Sequence, residues 1–189
     1  MKSARFNIDK IQGPLRIRLA STEDISAITK LQRRAIDELQ RGFLSPEQIA
    51  ASHAGMGLDT QLIQDGTYFC VETRDDGRLA GCGGWSRRAT LYGGNHSGGR
   101  DTRRLDPGRE AARIRAMYTH PDHVRRGVGR FILDTAEAAA RHEGFTRLTL
   151  AATAAGKPFY AACGYAVSNR FQDTNAAISV PLYTMDKRL

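Results

Sequence analysis

The sequence predicts a single mixed α/β domain, on three observations. Short stretches alternate apolar and polar residues at strand period, two longer ones repeat apolar residues at helix period, and a strand, helix, strand order follows an earlier hairpin. A chain of 189 residues is long enough for one core and short for two. The expected organisation is an N-terminal extension over residues 1–14 and one domain over residues 15–189.

Leu15, Ile17 and Leu19 alternate with Arg16 and Arg18, the pattern of a half-buried strand, and Pro14 sets where order begins. Ser21 and Asp24 form a capping box ahead of Ile25, Ile28, Leu31, Ala35, Ile36 and Leu39, which recur at helical spacing. Ser45-Pro46-Glu47-Gln48 opens a second helix, with serine as cap, proline in the first turn and glutamine three residues after the cap. Residues 68–71 and 79–85 read as strands joined by a turn at Asp75-Asp76-Gly77. Gly81, Gly83 and Gly84 in the second of them imply a backbone that something approaches closely.

Residues 86–109 are rich in Gly, Arg and Asp without periodicity, well beyond the roughly 12 to 15 residues usual for a structureless loop. That composition predicts a flexible acceptor lid contributing little to the fold, so that a short linker in place of residues 91–104 would leave the melting temperature unchanged. Residues 112–118 alternate again. Val128, Phe131, Ile132, Thr135, Ala136, Ala139 and Ala140 then make one apolar helix face, with Gly144 at its C-terminal cap. Leu148 and Leu150 mark a strand, residues 158–163 a short helix ended by Gly164, and residues 181–185 a last strand.

Composition narrows the class. No window nears the roughly 18 consecutive apolar residues of a membrane span, and residues 1–12 lack the apolar core of a secretory signal, so the expectation is a cytoplasmic protein. Cys70, Cys82 and Cys163 are odd in number and share no metal-ligand spacing, which predicts buried free thiols and no metal. A net charge of +8 points to an anionic partner, and the placement of the arginines has to say which.

Arg125, Arg126, Gly127, Val128, Gly129 and Arg130 stand between a predicted strand and a predicted helix. Such a turn presents free N–H groups at a helix N-terminus, its glycines admit bulky oxygens and its arginines add charge, so a pyrophosphate suits it. Two better-known phosphate loops fail here: Pro158 follows Gly156-Lys157 where a Walker loop needs Ser or Thr, and Ile132 stands where the dinucleotide fingerprint needs its third glycine.

Downstream runs Phe159-Tyr160-Ala161-Ala162-Cys163-Gly164-Tyr165. With both elements in place, from about Leu15 to the C-terminus, the sequence resembles the GNAT superfamily of acyl-CoA-dependent N-acyltransferases. The resemblance implies a central mixed, mostly antiparallel sheet flanked by helices, and acetyl-CoA as cosubstrate without a metal. It implies that backbone at Met117, Tyr118 and Thr119 meets the thioester, that Arg125, Arg126, Gly127, Val128, Gly129 and Arg130 hold the pyrophosphate, and that Thr153 lies on the pantetheine arm. Tyr160 corresponds to the tyrosine beside the cofactor sulfur. Three positions depart from the family pattern: Val124 replaces Arg or Gln, Thr153 replaces Asn, and Ala116 replaces the strand glutamate that often serves as base.

Acylation of an amine by a thioester needs a neutral amine, a polarised carbonyl and a proton for the departing thiolate. Tyr160, with a phenol pKa of about 10 against a thiol near 8.5, is a suitable donor. For the base, His120 is preferred over His96, Asp101 and Glu110 because its ordinary pKa of about 6.5 suits neutral pH, and a water relay is the alternative. Trp85, Tyr92 and the glycines from Gly93 to Gly99 are the acceptor-site candidates. The expected acceptor is a small-molecule amine, neutral or zwitterionic because a basic chain repels polycations. A homodimer is compatible with the resemblance. Two other functions stand beside this one: an acyl-CoA-binding regulatory domain without catalysis, and a basic nucleic-acid-binding module. The latter is disfavoured because aromatics are only 7% and none interleaves with the arginine pairs.

Overall fold

A computed structural model describes residues 8–189; residues 1–7, within the expected extension, lie outside the described residues. The alternation at Leu15, Ile17 and Leu19 forms strand β2 (Leu15–Leu19), with Leu15 and Ile17 buried and Arg16 exposed. It pairs with β1 (Lys10–Gln12) through a turn at Gly13-Pro14, so the sheet starts earlier than Pro14. β3 (Tyr68–Thr73), β4 (Leu79–Ser86), β5 (Ala112–Thr119), β6 (Arg147–Thr153), β7 (Ala166–Asp173) and β8 (Val180–Arg188) complete an eight-stranded sheet in the order β1-β2-β3-β4-β5-β6-β8-β7. Every pairing is antiparallel except that of β5 with β6.

Helix α1 (Ile25–Leu39) follows a 3-10 turn in which the Asp24 carboxylate accepts the Ser21 backbone N–H at 2.7 Å. In α2 (Pro46–Gly55) the capping box closes in both directions, Gln48 N–H to Ser45 Oγ at 3.2 Å and Ser45 N–H to Gln48 Oε1 at 3.1 Å. Helix α3 (Thr60–Gln64), which the apolar pattern does not announce, is capped by Asp59. After β5 come α4 (Val128–His142) and α5 (Lys157–Ala162).

The two faces of the sheet carry separate cores. One gathers Phe69, Val71, Ile114, Phe131, Ile132, Leu148 and Leu150, and the other Ile28, Leu31, Leu62, Tyr68, Cys70 and Cys82. Different bodies approach the β4 glycines: α4 at Gly81, where a Cβ would run into Val128; β5 and α4 at Gly83, where it would meet Met117 and Ile132; and the Thr67 backbone at Gly84. All three cysteines are buried free thiols, and burial pushes Cys82 up to about 12. Among the described residues no helix is long and apolar enough to cross a membrane.

The long segment before β5 contributes more to the fold than the flexible acceptor lid that its composition predicts. Its backbone folds back on itself through Ala89 N–H to Arg103 O and Leu105 N–H to Arg87 O, and Leu105 joins the core. Arg88 grips Asp65 through two bonds of 2.6 and 2.7 Å. Arg100 and Arg115 meet on Asp59 at 2.7 and 2.9 Å, and Arg115 also donates to the carbonyls of Thr90 and Gly93. Glycine and arginine here are structural: turns plus buried charge replace an apolar face, which periodicity cannot detect.

Candidate active site

β5 and β6 form a fork. They pair at Ala112 with Leu148 and Arg113 with Thr149, and then separate although β5 runs on to Thr119 and β6 to Thr153. A bulge sharpens the divergence: the β4–β5 register shifts between Cys82 and Gly84, Ala116 takes φ +49, and its carbonyl is held by the Tyr68 hydroxyl at 2.8 Å. Past the bulge, Met117, Tyr118 and Thr119 have β4 on one side and no strand on the other.

The arginine turn lies where β5 gives way to α4. Arg125 at φ +62 and Gly127 at φ +84 both adopt the left-handed region, curling the backbone so that successive N–H groups converge. From Arg125 through Arg130 those N–H groups find no acceptor among the described residues, and the first turn of α4 carries no acidic residue. Arg125 and Arg126 are exposed without a described ion pair, while Val128 is buried and anchors the turn. Backbone donors at a helix N-terminus, with two guanidiniums that have no ion pair among the described residues, fit a phosphate-bearing group.

The second motif is brought against the first. A Cβ on Gly129 would lie 3.3 Å from Phe159 Cζ and 3.7 Å from Thr119 Oγ1, and Arg130 donates to Ala162 O at 3.3 Å. Tyr160 is half-buried, its ring centroid 5.1 Å from Phe159 and 5.9 Å from Tyr165. Its hydroxyl makes no hydrogen bond to any described residue, whereas Tyr165 donates to Glu137 at 3.0 Å. Burial, followed by the neighbouring Tyr118 and Cys163, pushes the Tyr160 phenol above its ordinary value, so it stays protonated at neutral pH. Thr153 Oγ1 accepts the Gly156 N–H at 3.0 Å and shapes the entry to α5.

His120 is held elsewhere. Its Nδ1 accepts the Asp122 N–H at 3.2 Å, and its Nε2 lies 3.1 Å from Nη1 of Arg34, which in turn bonds Asp122. Burial and then the Arg34 charge push its pKa down, and no described contact joins it to Tyr160. Asp101 and Glu110 are occupied by the Arg103 backbone and side chain, and the bond to Arg103 holds Glu110 down to about 2. Of the base candidates, His96 packs against Gly57, with its Nε2 3.1 Å from the His53 carbonyl. Trp85 is a correction: only 2% exposed, it packs edge-on against Phe145 at 5.9 Å and lines no acceptor site. Its place beside a glycine-rich segment misled, because its own strand face is core. Tyr92 lies over Phe171 and donates to Asp173, a partner that sequence reading missed because β7, with mainly exposed side chains, shows no alternation.

The fold has counterparts among known proteins. The model of the acetyltransferase (GNAT) family matches residues 33–165, and the chain belongs to that family. A GCN5-related N-acetyltransferase from Rhodopseudomonas palustris superposes with a TM-score of 0.70 at 20% identity, over 95% of this chain and 99% of that one. The PaiA N-acetyltransferase from Thermoplasma acidophilum, solved in complex with coenzyme A, gives 0.62 at 16% identity, covering 93% and 99%. YncA from Salmonella typhimurium, solved with its cofactor acetyl-CoA, gives 0.59 at 20%, covering 93% and 94%. At these identities the structures show a shared fold. A search of curated proteins found no match.

Proposed function

We infer that the protein transfers an acetyl group from acetyl-CoA to a primary amine of a small-molecule acceptor, by direct attack in a ternary complex. One observation carries the reading: the phosphate-fitting turn packs against the helix that bears Tyr160, whose hydroxyl has no described hydrogen bond, beside the free edge of β5. Arg125, Arg126 and the N–H groups from Gly127 to Arg130 would hold the pyrophosphate, and backbone along Met117, Tyr118 and Thr119 would align the pantetheine arm as a strand would. Acetyl-CoA supplies an acyl thioester, an electrophile ready for a neutral amine.

In that arrangement N–H groups at Met117 and Tyr118 take the charge that develops on the carbonyl oxygen. As the C–N bond forms and the C–S bond breaks, Tyr160 passes its phenolic proton to the sulfur, and the amine nitrogen gives its proton to water. The raised phenol pKa suits the role, because the enclosure that raises it also raises that of the leaving thiol. Tyr160→Phe, which deletes only the hydroxyl, tests this: kcat falls roughly 10²- to 10⁴-fold while the thermal shift given by acetyl-CoA persists. Undiminished turnover in the variant would leave Tyr160 a packing residue.

A further inference from the structure

Arg113 and Arg115 alternate along β5 with Ala112 and Ile114, which sit in the core beneath α4, so the two guanidiniums project from the opposite face of the sheet. There Arg113 donates to Ala89 O at 3.3 Å, and Arg115 donates to Thr90 O at 2.9 Å and Gly93 O at 2.7 Å. Tyr92, between those two carbonyls, reaches the edge strand β7. Its ring lies 5.5 Å from that of Phe171, and its hydroxyl donates to Asp173 Oδ1 at 3.2 Å and accepts from Asn175 Nδ2 at 3.4 Å. Phe171 pairs with Leu182, whereas the neighbouring Tyr183 packs on the α4 core, so Phe171 projects from the same face as Arg115.

β5 and β7 are the outer members of the run β5-β6-β8-β7, three strand spacings or about 14 Å apart. No one of these side chains spans that distance, so the backbone from Thr90 to Gly93 lies between them, as a strap over β6 and β8. Beneath it is the part of β6 that has left β5. Pairing ends at Arg113 with Thr149, and beyond that point Ala151 and Thr153, with Thr184 beside them on β8, share the strap's face because Leu150, Ala152 and Met185 turn to the α4 core. Ala151, Thr153 and Thr184 are half-buried, as is Tyr92, so the strap stands over the fork without sealing it. Its position is fixed by buried charge. Arg115 is 3% exposed and shares Asp59 with Arg100, which donates to Gly94 O at 2.8 Å, and the Thr90 hydroxyl donates to Asp101 O at 2.8 Å.

We propose that Tyr92 determines acceptor specificity: its ring is a preformed wall over the fork that admits a slender amine and turns away one with a bulky group beside its nitrogen. The proposal rests on the acetyltransferase reading and adds the shape of the acceptor to it. The other face of the sheet is taken by α4 and by Phe159 and Tyr160 of α5, so an acceptor comes to the thioester past the strap. The ring sets the limit and the hydroxyl holds it in place, because the hydroxyl is engaged by Asp173 and Asn175. A wall braced by buried ion pairs does not yield to a larger guest as a hinged lid does, and its selection is by size.

The test compares kcat/KM for n-butylamine and benzylamine, by release of CoA thiol from acetyl-CoA, in the full chain and its variants; taking each variant against wild type cancels the intrinsic reactivities of the two amines. Tyr92→Ala shifts the ratio roughly tenfold or more towards benzylamine through KM, Tyr92→Phe keeps it within about threefold of wild type, and the acetyl-CoA thermal shift is the same in all three. A ratio that Tyr92→Ala leaves unmoved, or a loss that falls equally on both amines, overturns the proposal, as does a Tyr92→Phe variant that behaves like Tyr92→Ala. Should Tyr92→Ala not fold, Tyr92→Trp decides, since a larger ring must move the ratio towards n-butylamine. If the wild type acetylates neither amine, the acetyltransferase reading of these acceptors fails by itself. Calorimetric binding of the same amines to the CoA-saturated chain then reads the wall separately, and no binding, or affinities whose ratio Tyr92→Ala does not change, overturns it.

Discussion

Asp59→Ala should be among the most damaging single substitutions in the chain, although Asp59 belongs to a loop cap and not to the sheet. The carboxylate is 2% exposed and binds Arg115, itself 3% exposed, together with Arg100 and the Gln61 backbone N–H at 3.1 Å. Removing it leaves the Arg115 guanidinium buried with two carbonyls for company, and stripping one partner from a buried pair costs about 3 to 5 kcal/mol. Loss of the α3 cap adds about 1 kcal/mol. A net loss of about 4 kcal/mol lowers Tm by roughly 8 to 16 °C in a chain of this length. Arg115→Met should cost less, because Asp59 then keeps Arg100. Urea denaturation followed by circular dichroism gives both values, and amide exchange at residues 90–101 should accelerate in each variant. A loss below about 1 kcal/mol for Asp59→Ala, or a larger loss for Arg115→Met, would refute the reasoning. The same cluster predicts that a short linker in place of residues 91–104 destabilises the protein, since it removes Arg100 and the carbonyls of Gly93 and Gly94.

Gly84→Ala should lower stability by about 1 to 3 kcal/mol, because its Cβ would collide with the Thr67 carbonyl, a backbone atom that cannot swing away; a wild-type melt would contradict this. Arg125→Ala combined with Arg126→Ala should abolish most of the acetyl-CoA thermal shift while leaving the ligand-free Tm nearly unchanged, as both side chains are exposed and have no ion pair among the described residues. Arg34→Ala should raise the His120 pKa towards its ordinary value of about 6.5, seen by NMR titration of the ring. The sign follows from linkage: with the folded pKa lowered, the contribution from neutral His120 is present above about 6.5 and is lost as pH falls through the folded value, and the variant loses less of it.

Much of this architecture is legible in the residues, and the exceptions share a cause. Alternation at Leu15 and Ile17, the helical face from Val128 to Ala140 and the left-handed glycines at Gly77, Gly144 and Gly164 each follow from local apolar pattern or backbone conformation. The pairing of the arginine turn with the Tyr160 helix follows from the family resemblance alone. What escapes is held by contacts distant in sequence. Asp59 finds its arginines 41 and 56 residues away, and Asp173 finds Tyr92 at a separation of 81. β7 is exposed along most of its length and owes its conformation to pairing with β8, so nothing in its own side chains announces it. Charge and hydrogen bonding place these segments, and neither leaves a period.

The fork also has a mechanical consequence. Among the described residues, two residue pairs stitch the five strands on one side of the sheet to the three on the other, although α4, packed on β4 and β5, also reaches β8 through the Glu137–Lys187 ion pair. Under tension across the strands the molecule should part along this seam before any other ladder yields. A guest strung between β5 and β6 would then act as a rivet, raising the force at which the halves come apart.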